Sequence, residues 1–244
     1  MNTTHLFVEL LVIGFGALAW LLLIVAAVLG YDITSVQSNL LSLGTLFPIL
    51  SFGYVLGILV DRIADWSFDW LWGERHFRQV YLTDNEDRAS LLQAAELPDD
   101  LSSLDADERA RLATLFKRLK KDFFDDRRIL VVGGAELWQF VEYGRSRLRI
   151  CRGWVVNALL LAFAFDIYWY FGGAQSLPID GLRVFYLNVV LLLFAAICFF
   201  AWSRLNQQEY SKIRRQAAWI RRRLEETAVQ DVALSGQLKI EGKI

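Results

Sequence analysis

The segment ELWQFVEYGRSRLRICRGWVVNALLLAFAFDIYWYF, at residues 136–171, decides the fold. It begins with charged residues, ends with a long apolar run, contains no proline, and has Gly144 and Gly153 as its glycines. A spanning helix needs about 20 mostly apolar residues. The segment therefore predicts one helix that starts in water and crosses a bilayer.

Three further apolar runs, at residues 6–29, 40–60 and 184–203, are also long enough to cross a membrane, as is the run at 153–171 within the first segment. With 55% apolar residues and a mean hydropathy of +0.33, the chain is too hydrophobic for an ordinary soluble globule. We predict an all-α integral membrane protein with four transmembrane helices and a small, mainly helical cytoplasmic domain. The predicted parts are 1–60 (helices 1 and 2), 61–152 (cytoplasmic domain), 153–203 (helices 3 and 4) and 204–244 (amphipathic helix and tail).

The basic residues predict the orientation. Of 26 Lys and Arg, 16 lie within 61–152, nine follow residue 203, and the remaining one is Arg183. Basic segments stay on the cytoplasmic side, so both termini and the middle region are expected there. Residues 1–5 contain no Lys or Arg, which favours a permanent first helix over a signal peptide.

The cytoplasmic domain shows three local patterns. Asp105 followed by Glu108 is typical of a helix capping box. Behind it, apolar residues recur at helical spacing: Leu112, Leu115, Phe116, Leu119 and Phe123. Residues 128–134 are instead typical of a short strand that ends in a glycine turn, and residues 237–241, in the tail outside this domain, alternate like a second strand.

The last predicted part continues the fourth helix. Its apolar residues repeat at four, three and four: Ile213, Ala217, Ile220 and Leu224. This pattern predicts an amphipathic helix that packs on the soluble domain, on another subunit or on lipid.

Two basic surfaces are candidates for binding an anion. One is the polar side of the helix after Asp105, with Lys117, Arg118, Lys120 and Lys121. The other is Arg145, Arg149 and Arg152, which share one face of the long helix with Glu142. A solvated surface explains the first set equally well, and anchoring to anionic lipid explains Arg149 and Arg152.

Asp166 and Asn157 are the candidate pore residues of the third span. A carboxylate at the depth of Asp166 is costly unless it faces water, a partner or a pore. Copies of Asp166 in an oligomer could form a cation-selective ring, while a shallow position among the outer aromatic residues would give a solvated side chain without a pore.

The second span is the least regular. Pro48 predicts a kink near Gly44, and Gly53 with Gly57 forms a small-residue pair four apart that allows close helix contact. The contact partner could be another helix of the same chain or a second subunit.

No pattern indicates an enzyme, a metal or a cofactor. The two histidines, His5 and His76, are too far apart in sequence for a ligand cluster, and the common catalytic and phosphate-loop motifs do not occur. The acidic pair Asp125 and Asp126 is interpreted as part of a polar loop.

The layout of four helices with a compact charged domain resembles the small membrane effectors of bacterial anti-phage systems. The resemblance implies an inner-membrane protein that forms a channel or disrupts the membrane when a nucleotide, nucleic acid or protein signal acts on its cytosolic part. The first hypothesis is a homo-oligomeric channel gated in this way. The second is a membrane-anchored adaptor that recruits a cytoplasmic protein and forms no pore.

Overall fold

The computed structural model describes residues 3–30, 43–73, 88–101, 103–132, 135–173 and 181–241. In these ranges the regular elements are all helical, as predicted. The α-helices are α1 (Thr3–Leu29), α2 (Leu43–Phe68), α3 (Arg88–Ala94), α4 (Ala106–Val132), α5 (Ala135–Tyr168) and α6 (Gly181–Glu241). Two π-helical turns, Asp69–Gly73 and Trp169–Gly173, continue α2 and α5.

The chain divides into two compact units. The membrane unit comprises Met1–Glu74 and Tyr143–Asn206, and the charged unit comprises Arg75–Glu142 and Gln207–Ile244. Residues 61–74 and 143–152, which the sequence placed in the cytoplasmic domain, belong to the membrane unit. Helices α5 and α6 each contribute residues to both units.

In the part of the chain that the structure describes, four helices are long and apolar enough to cross a membrane. The candidate spans are Leu6–Leu29, Leu46–Trp72, Val141–Phe171 and Gly181–Thr227. The third and fourth spans extend beyond the predicted apolar runs because the helix does not end where the composition changes. A transmembrane helix continues into polar sequence as long as its backbone hydrogen bonds remain intact.

Helix α5 confirms the prediction of one continuous element through Gly153. Gly153 is a site of close packing: a Cβ placed there would lie 2.9 Å from Cγ2 of Ile13 in α1. The glycine therefore lets α1 approach α5 closely while the helix remains unbroken.

Helix α5 is the central helix of the membrane unit, because side chains on three of its faces contact three other helices. Asn157 donates a hydrogen bond to the backbone carbonyl of Ile13 in α1. Arg152 pairs with Asp61 in α2, and the Trp154 ring packs edge-on against Phe194 of α6 at 5.7 Å.

Helices α1 and α2 meet through glycines. A Cβ at Gly57 would overlap the backbone carbonyl of Leu10, and a Cβ at Gly14 would overlap the carbonyl of Gly53. Gly57 therefore serves contact within one chain. A Cβ added at Gly53 would face open space, so this side of Gly53 contacts no other described part of the chain.

Pro48 lies in the second turn of α2, and the helix is unbroken across it. The proline has no N–H to donate to the backbone carbonyl of Gly44, so that first-turn carbonyl lacks its usual intrahelical donor although the helix continues.

The charged unit has its own apolar core. The capping box is confirmed, since Asp105 N donates to Glu108 Oε2 at 2.9 Å and Glu108 N donates to Asp105 Oδ1 at 2.7 Å. The predicted stripe of α4 is buried throughout: Leu112, Leu115, Phe116, Leu119 and Phe123. Ile213, Ala217 and Ile220 of α6 are also buried, and Ile213 and Ile220 join that core.

Leu224 is 62% exposed, so the part of the α6 stripe that is buried within the chain ends at Ile220. Packing of Leu224 on lipid or on another subunit stays a prediction.

Two predictions in this unit are wrong. Residues 128–132 form the last turns of α4, and residues 237–241 form the end of α6, so neither segment is a strand. Their β-branched residues favour extended structure locally, but each run continues a helix that tertiary packing already stabilises.

Gly57→Ala should destabilise the membrane unit by about 1–3 kcal/mol, because the added methyl group overlaps backbone that cannot rotate away. The matched control Gly53→Ala adds the same methyl group at the other glycine of the pair, where space is open. Thermal unfolding of the purified full-length protein in detergent measures both. Equal midpoints for the two variants would contradict the packing assignment.

Candidate functional site

The first charged contact of the membrane unit joins Glu9 of α1 to Arg149 of α5. Arg149 Nη1 lies 3.6 Å from Glu9 Oε2, and both side chains are largely buried. No donor among the described residues lies within hydrogen-bond distance of Glu9 Oε2. Oε2 is therefore compensated by the arginine's charge and not by a hydrogen bond, which in a low-dielectric setting is a strong attraction that still leaves this acceptor unused.

The second contact places Arg152 of α5 between two acids of α2. Arg152 Nη2 donates to Asp61 Oδ1 at 2.9 Å, and Arg152 Nη1 donates to Asp65 Oδ1. Asp61 and Asp65 are four residues apart and share one side of the helix. Asp61 is buried and Asp65 is half-exposed, so the arginine spans the region from the interior of the bundle to its surface.

These contacts account for two of the arginines in the predicted anion-binding face. Arg149 and Arg152 direct their guanidinium groups to Glu9, Asp61 and Asp65 of the same chain. Arg145 is half-buried and also has an interaction partner. Sequence spacing predicted that the arginines share one face of the helix, but the acids come from distant segments and were not assigned to them.

Asn157, predicted to line a pore, lies inside the bundle of one chain. Its side chain is 1% exposed, Nδ2 donates to the backbone oxygen of Ile13 at 2.7 Å, and Oδ1 accepts from Trp20 Nε1 at 3.2 Å. Gly16 of α1 makes room for it, since a Cβ there would lie 2.6 Å from Asn157 Nδ2. This buried amide joins α1 to α5.

Asp166 lies in the last turn of α5 and is exposed. Its Oδ1 accepts a hydrogen bond from Nδ2 of Asn188 in α6, at 2.6 Å. Asp166 also lines a shallow groove of about 360 Å³ with Trp169, Tyr170 and Phe171. Glu9 and Asp61 face arginines, whereas the partner shown for Asp166 is a neutral amide.

The other predicted basic surface lies on α4 of the charged unit. Its four residues are exposed: Lys117, Arg118, Lys120 and Lys121. The buried stripe occupies the opposite side of the helix, so this surface is available to an anion, although nothing in the geometry selects one anion over another.

Asp126 is a buried acid that the sequence interpretation placed in a loop. It lies on α4, in register with the apolar stripe, and pairs with Arg221 of α6. Burial raises the pKa of Asp126 above its ordinary value, and Arg221 acts in the opposite direction. Its spacing from Phe123 and Leu130, at three and four residues, was the signal that could have identified it.

Among the described residues, no three His, Cys, Asp or Glu side chains form a group suited to a metal ion.

Arg152→Gln should lower the unfolding free energy by about 3 kcal/mol, because it leaves the buried Asp61 carboxylate without its cation. Adding Asp61→Asn should restore part of the loss, since the unpaired charge is then gone. Arg62→Gln, an exposed neighbour on α2, is the control. Reversible unfolding in detergent gives the coupling energy, and strictly additive effects of the two substitutions would show that the pair does not interact.

Asp126 should give the charged unit a distinct pH dependence. Because burial raises the folded-state pKa of Asp126 above its ordinary value, the folded state holds the proton more tightly. This contribution to stability is complete below the ordinary carboxyl pKa and is lost as the pH rises through the raised pKa. Asp126→Asn should remove that dependence, and the exposed Glu225→Gln should keep it, as measured by hydrogen exchange of the α4 amides in the full-length protein. If the stability of Asp126→Asn depended on pH as steeply as that of the wild type, this assignment would be contradicted.

The membrane unit thus contains two internally compensated arginines, a buried amide and one exposed carboxylate beside a groove. Comparison with protein-family models gives no match, and neither does comparison with curated proteins or with solved structures.

Proposed function

We propose that the protein is a homo-oligomeric membrane channel that opens when an anionic signal acts on the charged unit. The observation that carries the proposal is Asp166, an exposed carboxylate on a candidate span whose hydrogen-bond partner is the neutral Asn188. The chain is taken to lie in a bacterial inner membrane with both termini in the cytoplasm, and to have no enzymatic activity.

The energetic argument concerns where an ionised carboxylate is stable. Asp166 lies on the span Val141–Phe171, near its end, and the side chain is exposed in one chain. A charge facing hydrocarbon there costs several kcal/mol, whereas water in a pore or a second subunit removes that cost. Rings of acidic side chains are a common means of cation selection.

Helix α6 supports assembly into an oligomer. In the most apolar window of its span, only 11% of the residues are buried within the chain. Asn188, which holds Asp166, lies on this same helix. Either lipid or a second copy of the chain can cover this surface. The hydrogen-bonded pair Asp166 and Asn188 favours a second copy over at least part of it.

Coupling between signal and pore is proposed to run along α5 and α6. Val141 of α5 and Ile213 and Ile220 of α6 belong to the core of the charged unit. The same two helices continue into the membrane unit, where they bear Arg152, Asp166 and Asn188. A ligand that changes the packing of the charged core would therefore act on helices that also form the membrane unit.

The proposed signal site is the exposed basic surface of α4, which includes Lys117 and Lys121. A nucleotide or short oligonucleotide would supply phosphates to such a surface, and its binding would weaken steeply with salt. Membrane effectors of anti-phage systems, which share this layout, give the proposal its biological setting.

A membrane-anchored adaptor remains the second candidate. It is favoured by the separate core of the charged unit, from Leu92 to Ile220, which can present its surface to a protein partner without help from a pore. In that case the basic residues of α4 would capture an acidic partner, and Asp166 would have no role in the activity.

Purified full-length protein in liposomes should conduct cations when a nucleotide or oligonucleotide is added on the side of the charged unit. Asp166→Asn should reduce the cation-to-anion permeability ratio, since it removes the charge and keeps the shape. Asp99→Asn, an exposed acid of the charged unit, should not. Reversal potentials under a salt gradient measure both. Liposomes that stay silent with every ligand tested would remove the channel proposal and leave the adaptor.

A further inference from the structure

We propose that the groove beside Asp166 is a binding site for an organic ammonium group. The groove has a volume of about 360 Å³ and is formed by residues of the membrane unit in a single chain: Asp166, Ile167, Trp169, Tyr170, Phe171 and Val184. This volume admits an ethanolamine or choline group. The site requires neither a pore nor a second subunit, so it goes beyond the proposed channel.

The electrostatics of the site favour a cation. Asp166 contributes a full negative charge, and one of its oxygens accepts a single hydrogen bond from Asn188 Nδ2. A carboxylate can accept about four hydrogen bonds, so acceptor capacity remains on the exposed side chain. Asn188 Oδ1 is buried and accepts no hydrogen bond from a described residue. Asp166 and Asn188 together therefore offer more hydrogen-bond acceptors than the described residues satisfy.

The helix that carries Asp166 supplies no nearby cation of its own. Asp166 lies in the last α-helical turn of α5, which carries no basic residue, and the π-helical turn Trp169–Gly173 follows it. A bound ammonium group would supply a compensating charge.

The aromatic side chains select an organic cation over a metal ion. Tyr170 is 80% exposed and Phe171 68% exposed, and their rings pack edge-to-face at 5.4 Å. Asp166 and Tyr170 are four residues apart, so they project on the same side of the helix. An alkylated ammonium can contact ring faces and a carboxylate together, whereas hard metal ions require several oxygen ligands.

Anchoring at the membrane–water boundary explains the exposed rings of the groove, but an ammonium ligand explains more of its features. Tyr and Trp commonly lie at the membrane–water boundary because their rings are amphipathic. Anchoring does not require an exposed acidic residue at the edge of the same groove. An ammonium ligand accounts for the carboxylate and the rings with one interaction. Its source is either the headgroup of an ethanolamine or choline lipid or a free amine in solution.

Binding is tested by isothermal titration calorimetry of choline into full-length protein in detergent that contains no amine. Asp166→Asn should weaken binding about tenfold, as expected for the loss of one charge–charge contact near the surface. Tyr170→Leu should weaken it about threefold through loss of ring contact. Trp70→Leu removes an equally exposed ring that does not line the groove and should leave binding unchanged.

A wild-type comparison keeps the test valid if a variant does not fold. Choline should bind, and dimethylbutanol, its neutral carbon isostere, should not.

The source of the ammonium group is identified by native mass spectrometry of protein released from nanodiscs of phosphatidylethanolamine or of phosphatidylglycerol. Retention of phosphatidylethanolamine by wild type but not by Asp166→Asn identifies the lipid, and binding of free choline without lipid retention identifies a soluble amine.

Three results would overturn the proposal: equal binding of the neutral isostere, displacement of choline by sodium at equal concentration, or equal effects of Asp166→Asn and Trp70→Leu. These results are separate from the channel test. If Asp166→Asn changes ion selectivity while choline fails to bind, the channel stands and the ammonium site falls; choline binding in silent liposomes gives the reverse.

Discussion

The ion pairs of Arg149 and Arg152 set the arrangement of the membrane unit. Arg149 faces Glu9 of α1, and Arg152 faces Asp61 of α2. Breaking such a pair by removing one partner leaves a buried charge, so each contact strongly restricts how α5 can rotate against its neighbours. Gly153, one residue after Arg152, then allows α1 to approach closely enough for the Asn157 hydrogen bond to form. Charge fixes the rotation of α5, and small residues fix its distance from α1.

Much of the fold could be predicted because its signals are local. Asp105 and Glu108 are three residues apart, so the capping box could be identified without tertiary information. Continuity of α5 followed from the absence of proline. The strand predicted at 128–132 failed because apolar β-branched residues are compatible with either structure, and Leu130, which is fully buried, shows that the helix packing of α4 decided the outcome.

The candidate site was less predictable because its contacts join distant segments. The arginine face was found from its spacing, but Glu9 and Asp61 lie far from Arg149 in sequence, and only the fold brings these charges together. Asp126 was missed for a related reason. Asp125 and Asp126 are adjacent acids and were placed in a solvated loop, and the half-exposed partner of Asp126, Arg221, comes from the last helix.

Asp166 differs from the other acids of this network in how its charge is compensated. Glu9 and Asp61 meet guanidinium groups, so their charges are largely cancelled within the chain. Asp166 instead meets the neutral amide of Asn188. The proposed channel and the proposed ammonium site both depend on this carboxylate. In the first it would meet ions that pass through an oligomer, and in the second an ammonium group held in the groove.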